Sequence, residues 1–200
     1  MIKLTMKYLE DIMEIKETKP YTFIICGKAR HGKDTVGNFI KEYYEEKNKK
    51  IINLQYSSYI KEYAKKISDW DGSEETKPRS LLQQLGTEII RKRIDYNFFV
   101  DRIIGDIKVY SYFFDAIIIT DARAKVEVRL PKQELTKVIA IHVVRPNFDN
   151  GLTEEQKNHF TETDLDDFEA YDYEIVNDGS LEELRMKIFN LLEEVDKNES

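Results

Sequence analysis

Apolar positions recur along this chain in two rhythms. Tyr21–Cys26 is a short β-rich run, and Asp115–Thr120 (DAIIIT) and Lys137–Val144 (KVIAIHVV) are nearly unbroken apolar runs, the mark of strands covered on both faces. Ile51–Gln55 and Asp172–Val176 read as two further short strands. Between them the spacing changes to three and four. Val36, Phe39, Ile40, Tyr43 and Tyr44 predict a helix over Lys33–Lys47, and Ile60, Tyr63, Ala64 and Ile67 predict one over Ser57–Ile67. Leu82, Leu85, Ile89 and Arg93 align on a helix over Arg79–Arg93, and Asn97–Tyr110 reads as another. Leu181, Leu184, Ile188, Leu191, Leu192 and Val195 form the inner stripe of a final helix over Ser180–Val195, which opens on a Ser180/Glu183 capping box. Asp69–Pro78 is a polar loop, and Pro146–Ala170 is acidic, loop-like and almost without apolar period. Leu4, Tyr8, Leu9 and Ile12 suggest a short amphipathic helix within residues 1–19, closed by Pro20.

Five strands thus alternate with helices. The pattern implies an α/β fold with a central parallel five-stranded sheet and helices on both faces. We expect one domain over residues 21–200, a lid-like segment at about 146–170, and an N-terminal extension over residues 1–20, open to a homodimer contact.

The chain has 200 residues and 41% hydrophobic residues, enough for one substantial core. Its lone cysteine, Cys26, excludes an internal disulfide framework and suits a reducing cytoplasm. No apolar run approaches the roughly 20 residues of a membrane helix. The net charge of −7 argues against a general nucleic-acid binder. A small anion remains a fitting ligand, because Lys28, Arg30 and Lys33 cluster locally with His31 between them.

Those cations lie in 22-TFIICGKARHGKDTVGNFI-40. Gly27, Gly32 and Lys33 match G-x-x-x-x-G-K, the loop whose curled backbone turns successive N–H groups toward phosphate oxygens. The helix that follows adds its positive end. Lys33 would reach the β- and γ-phosphates of a bound nucleotide. The usual Ser or Thr after the lysine is replaced by Asp34, an oxygen ligand that Mg²⁺ accepts, and Thr35 would donate to a phosphate nearer the ribose. Asp121 ends an apolar strand at the sheet edge where α/β proteins bind ligands. It would hold Mg²⁺ through water or orient an acceptor phosphate; the alternative is a helix N-cap for the segment starting near Ala124. Arg145 is a candidate for the donor side. Ser57, Ser58 and Lys61 leave strand two at the same edge as candidates for the acceptor side, with helix capping as the plain alternative for the serines.

The spelling GKARHGKDT resembles the loop of the deoxynucleoside monophosphate kinases of tailed phages and some bacteria. It is also similar to the loop of animal-type phosphomevalonate kinases. RSLLQQLGTEII, TDAR, IHVVRP, HFTE and NDGSLEEL follow in the order of the phage-type enzymes and span nearly everything after residue 20. The resemblance implies a three-layer P-loop fold and a kinase that uses ATP and Mg²⁺ to phosphorylate a nucleoside monophosphate. It places Arg123 on the acceptor phosphate and Glu127 on base or sugar, a solvated helix charge being the alternative for Glu127. Arg79 and the Leu85-Gly86-Thr87 turn would border the acceptor, although a tight helix crossing would also explain Gly86. Phe99 matches a base-stacking aromatic, with core packing as the alternative, and Thr161 matches an acceptor contact. Lys28 belongs to the ATP loop, and the backbone around Asn177 would border adenine.

One departure from related kinases stands out: Asn147–Glu174 holds no arginine. Arg30, inside the loop, is then the best substitute for a lid arginine, with a solvent-facing loop charge as its alternative. Other readings stay open: a kinase of another phosphorylated small molecule, of phosphomevalonate or dephospho-coenzyme A type, a module that binds ATP without turnover, or, less fittingly, a nucleic-acid end kinase.

Overall fold

A computed structural model describes residues 16–198, so the helix expected within residues 1–19 lies mostly outside the described residues. Five parallel strands form one sheet: β1 Tyr21–Cys26, β2 Ile51–Leu54, β3 Ala116–Ile119, β4 Val138–Val144 and β5 Tyr173–Val176. Their spatial order is β2-β3-β1-β4-β5. β1 is central, with Ile24 opposite both Ile119 of β3 and Ala140 of β4.

The two-residue rhythm of the strands divides the core in two. Phe23 and Ile25 of β1 and Ile118 of β3 face a layer built by α1 (Lys33–Glu46) and α8 (Leu181–Lys197). Ile24, Cys26, Ile117 and Ile119 face the other layer, which contains α4 (Phe98–Tyr110) and α5 (Val126–Glu134). This is the expected arrangement of helices on both faces. The Ser180/Glu183 capping box closes reciprocally at the start of α8.

Three local expectations change. Ile67 of α2 (Ser57–Ser68) is exposed rather than packed. The acidic segment carries two one-turn helices, α6 (Glu154–Lys157) and α7 (Phe160–Thr163). The helix expected over Arg79–Arg93 begins as α3 (Arg79–Gln83) and then widens into a π-helix over Gln84–Ile94. The Asp95 amide closes that turn on the Ile90 carbonyl, five residues back. The wider winding replaces the expected inner stripe: Leu85 and Ile90 are buried, whereas Ile89 is exposed.

Candidate active site

The loop after β1, the segment after β3 and the ends of β4 and β5 all meet at the carboxyl edge of the sheet, the usual ligand edge of such a fold. Gly27 has φ 142°, and a Cβ there would stand 2.4 Å from the Val143 carbonyl oxygen. Only glycine lets β1 turn this close to β4. Gly32 (φ 101°) is the N-cap of α1, and the Asn177 amide donates to the His31 carbonyl at 2.9 Å beside it. Arg30 takes the left-handed region at φ 62° and is exposed. Its guanidinium donates to the Asn150 carbonyl at 2.7 Å.

Lys33 is buried at the first position of α1. Its ammonium donates to the carbonyls of Gly27 at 2.8 Å and Lys28 at 2.9 Å. Burial, reinforced by the nearby Arg123 guanidinium, lowers its pKa from 10.5 to about 8. Two cations are therefore held together at the mouth of the loop. Asp34 is exposed in the next position and accepts from the Thr120 hydroxyl at 2.6 Å, and Thr35 follows half-buried. Among the described residues no group of three or more metal-ligating side chains converges. Asp34 with Thr35 is a donor set suited to Mg²⁺ that arrives already bound to phosphate and water oxygens.

Asp121 lies at the ligand edge, as expected, but it does not cap α5. Its two carboxylate oxygens accept the amides of Tyr56 and Ser57, each at 3.0 Å, so it caps the start of α2 rather than α5. The amides before α5 are taken by Glu127, which accepts from Arg123 N and from Ala124 N at 2.9 Å. Glu127 is neither solvated nor free. It is 2% exposed and paired with the guanidinium of Arg91. Burial pushes its carboxyl above the ordinary value, opposed by Arg91 and the Arg123 amide.

A cavity of about 840 Å³ opens beside the loop. Its wall includes Arg79 at the exposed rim, Gly86, Arg123, Glu127 and Thr161 from the sequence reading. Phe99 also reaches it, although that ring is 1% exposed and packs edge-on against Phe98, so core packing dominates its environment. Gly86 serves two ends. It lines the cavity, and a Cβ there would meet Ile60 at 3.1 Å, a close crossing with α2. Ser57 lines the cavity, but Ser58 and Lys61 do not: the Ser58 hydroxyl donates to the Gln55 carbonyl at 2.7 Å and the Lys61 ammonium to the Gln55 side chain at 3.0 Å. Thr161 is tied to His159, whose ring also meets Gln83 at 2.9 Å.

Arg91 was missed by the sequence reading. In an α-helix, residues five apart point in well-separated directions, whereas the π winding brings Arg91 round to the side of Gly86. One nitrogen of Arg91, Nη1, is buried without a hydrogen-bond partner. A π-helix is not legible in the residues, so only its function-prone placement could have pointed there.

On the other side of the loop, a cavity of about 530 Å³ is lined by Lys28, His31, Arg145 and Phe148, among others. The Arg145 guanidinium lies 3.9 Å over the Phe148 ring. The acidic segment folds back onto the basic groups: Asp166 pairs with Lys28 at 2.6 Å, and Glu162 pairs with Arg123 and accepts the Ala29 amide at 3.0 Å. The scarcity of cations in this segment is thus matched by an excess of acids aimed at the loop.

Residues 43–188 match the family model described as deoxynucleotide monophosphate kinase. The match starts in α1, so the phosphate loop before it is an independent observation. The deoxynucleotide monophosphate kinase of Enterobacteria phage T4 is 31% identical over 151 residues, covering 74% of this chain and 57% of that protein. That of Escherichia phage RB69 is 36% identical over 115 residues, covering 57% of this chain and 44% of its own length. The chain therefore spans about half the length of the curated relatives it matches. Solved structures share the fold alone: a sugar kinase from Janibacter sp. HTCC2649 (TM-score 0.54, 13% identity, 87% of this chain and 95% of that one) and the APS kinase of Mycobacterium tuberculosis with AMPPNP and APS (0.51, 12%, 88% and 98%).

Proposed function

The chain belongs to the deoxynucleotide monophosphate kinase family, and from that premise we propose that it transfers the γ-phosphoryl group of ATP to the 5′-phosphate of a deoxynucleoside monophosphate. The observation that carries this reading is the junction itself. A buried Lys33, its pKa lowered by burial and by the nearby Arg123, stands with that guanidinium where the phosphate loop opens onto a nucleotide-sized cavity. Two anions must be brought together for this reaction, and cations already held side by side lower the cost of doing so.

In the proposed reaction an acceptor phosphate oxygen forms a bond to the γ-phosphorus as the bond to the β,γ-bridging oxygen breaks, and ADP leaves. The acceptor oxygen is already anionic, so no strong general base is needed. Loop amides, Lys33 and Arg30 hold the donor, and Arg123 holds the acceptor phosphate. Mg²⁺ enters as part of the ATP substrate and neutralises phosphate charge. Asp34, steadied by Thr120, would bind it directly or through water, while Asp121 keeps α2 and Ser57 in the cavity wall. The unspent donor of Arg91 suits an oxygen or nitrogen acceptor on the base or sugar. Arg145 with Phe148 suits the adenine side. The segment 146–170 acts as the lid that excludes water during transfer.

The test is a panel of the common ribo- and deoxynucleoside monophosphates with labelled ATP. Label should pass to at least one deoxynucleotide, and transfer to none of them would refute the reading. Arg30→Ala should lower turnover far more than ATP affinity, and unchanged turnover would remove Arg30 from the mechanism.

A further inference from the structure

Glu162 stands where the cavities of the site meet. It is the one described residue that lines both cavities described above and a third, of about 260 Å³, bordered by Gly27, His31 and Asp166, and its side chain is only 9% exposed. One carboxylate oxygen accepts the Ala29 amide of the phosphate loop at 3.0 Å, and the other pairs with the Arg123 guanidinium. Ala29 lies on the donor side of the proposed reaction and Arg123 on the acceptor side. A single anion bridging the two fills the space in which the donor's terminal phosphate and the acceptor's phosphate would come together.

A carboxylate can make this bridge because amides and guanidinium groups bind carboxylate and phosphate oxygens in the same way. Neighbouring groups are likewise engaged within the chain: Lys28 by Asp166 at 2.6 Å, Arg30 by the Asn150 carbonyl at 2.7 Å. The acidic segment thus holds the loop and the acceptor arginine through one shared residue.

Resting on the phosphoryl-transfer reading, we infer that Glu162 couples the binding of the two substrates, acting as a built-in stand-in for the transferred phosphoryl group. The donor must displace the carboxylate from the Ala29 amide, and the acceptor must displace it from Arg123. Whichever ligand binds first breaks the bridge, and the second meets a site already vacated. Each substrate therefore raises the affinity of the other by the same factor. The acidity of the segment and its lack of arginine then have one cause. Its task in the ligand-free protein is to supply anions to the phosphate site, which additional cations would oppose.

The experiment uses the full chain and calorimetric titration. Each of the four common deoxynucleoside monophosphates is titrated with and without AMPPNP and Mg²⁺, into the wild type and into Glu162→Gln. In the wild type, AMPPNP should tighten acceptor binding about five- to tenfold. Glu162→Gln should bind the acceptor about tenfold more tightly with no donor present, and AMPPNP should add nothing further. Glu162→Asp, one methylene too short to span both partners, should lose the mutual enhancement in the same way. A purely structural role, or a direct substrate contact, would make these variants bind more weakly. Equal or weaker acceptor binding in both, or mutual enhancement left intact, would overturn the inference while leaving the kinase reading standing. If the wild type bound neither AMPPNP nor any monophosphate, and Lys33→Met changed nothing, both would fall.

Discussion

Replacing Lys33 by methionine should abolish transfer and yet leave the ligand-free protein about as stable at neutral pH. The ammonium is buried, and its pKa falls from 10.5 to about 8. At roughly 1.4 kcal/mol per unit, holding that charge costs the empty fold about 3 kcal/mol. Methionine keeps most of the apolar stem and removes the charge. It also removes the hydrogen bonds to the Gly27 and Lys28 carbonyls, together worth roughly 3 kcal/mol. The two effects nearly cancel at pH near 7, to within about 1 kcal/mol. The balance shifts with alkali. Because the folded pKa lies below the unfolded one, the unfolded chain binds more protons between about pH 8 and 10.5, and wild-type stability rises across that window. Above it the wild type carries no penalty, and Lys33→Met should be the less stable of the two. Urea unfolding of both proteins at several pH values measures the difference directly. A stability difference that stays constant from neutral pH to about 10.5 would refute the view of Lys33 as a desolvated charge waiting for an anion.

Two further substitutions probe the frame around the site. Gly27→Ala places a Cβ 2.4 Å from the Val143 carbonyl at φ 142°, so it should cost roughly 2–4 kcal/mol in denaturant unfolding and abolish ATP binding; a loss below about 0.5 kcal/mol would show that β1 and β4 can part there. Glu127→Ala strands the largely buried Arg91 guanidinium and the amides before α5, so about 3–5 kcal/mol of stability should be lost, and adding Arg91→Met should restore part of it; additive losses would mean that the pair is not coupled.

Much of this site was legible before any coordinates. The phosphate loop announced itself because glycine spacing and a following helix are local requirements, met within a dozen residues. Asp121 could be set at the ligand edge from the end of its strand, and Glu127 entered only through the family resemblance, but the partners of both come from other elements. Tyr56 and Ser57 lie 65 and 64 residues from Asp121, and Arg91 lies 36 from Glu127. No local pattern specifies such pairings. Arg91 itself was hidden by a change of helical period, and Ser58 and Lys61 were drawn away by Gln55, just before the start of α2.

Taken alone, the sequence determined the layered parallel sheet and the position of its phosphate loop, because strand and helix periodicity and turn chemistry are written in neighbouring residues; the family showed only in the resemblance of its motifs to those of known kinases. The tertiary structure decided which cations meet at the loop, which carboxylates are occupied, and that the acidic segment lays Glu162 between the Ala29 amide and Arg123. Those outcomes depend on which distant side chains share a desolvated space, and only the folded chain brings them together.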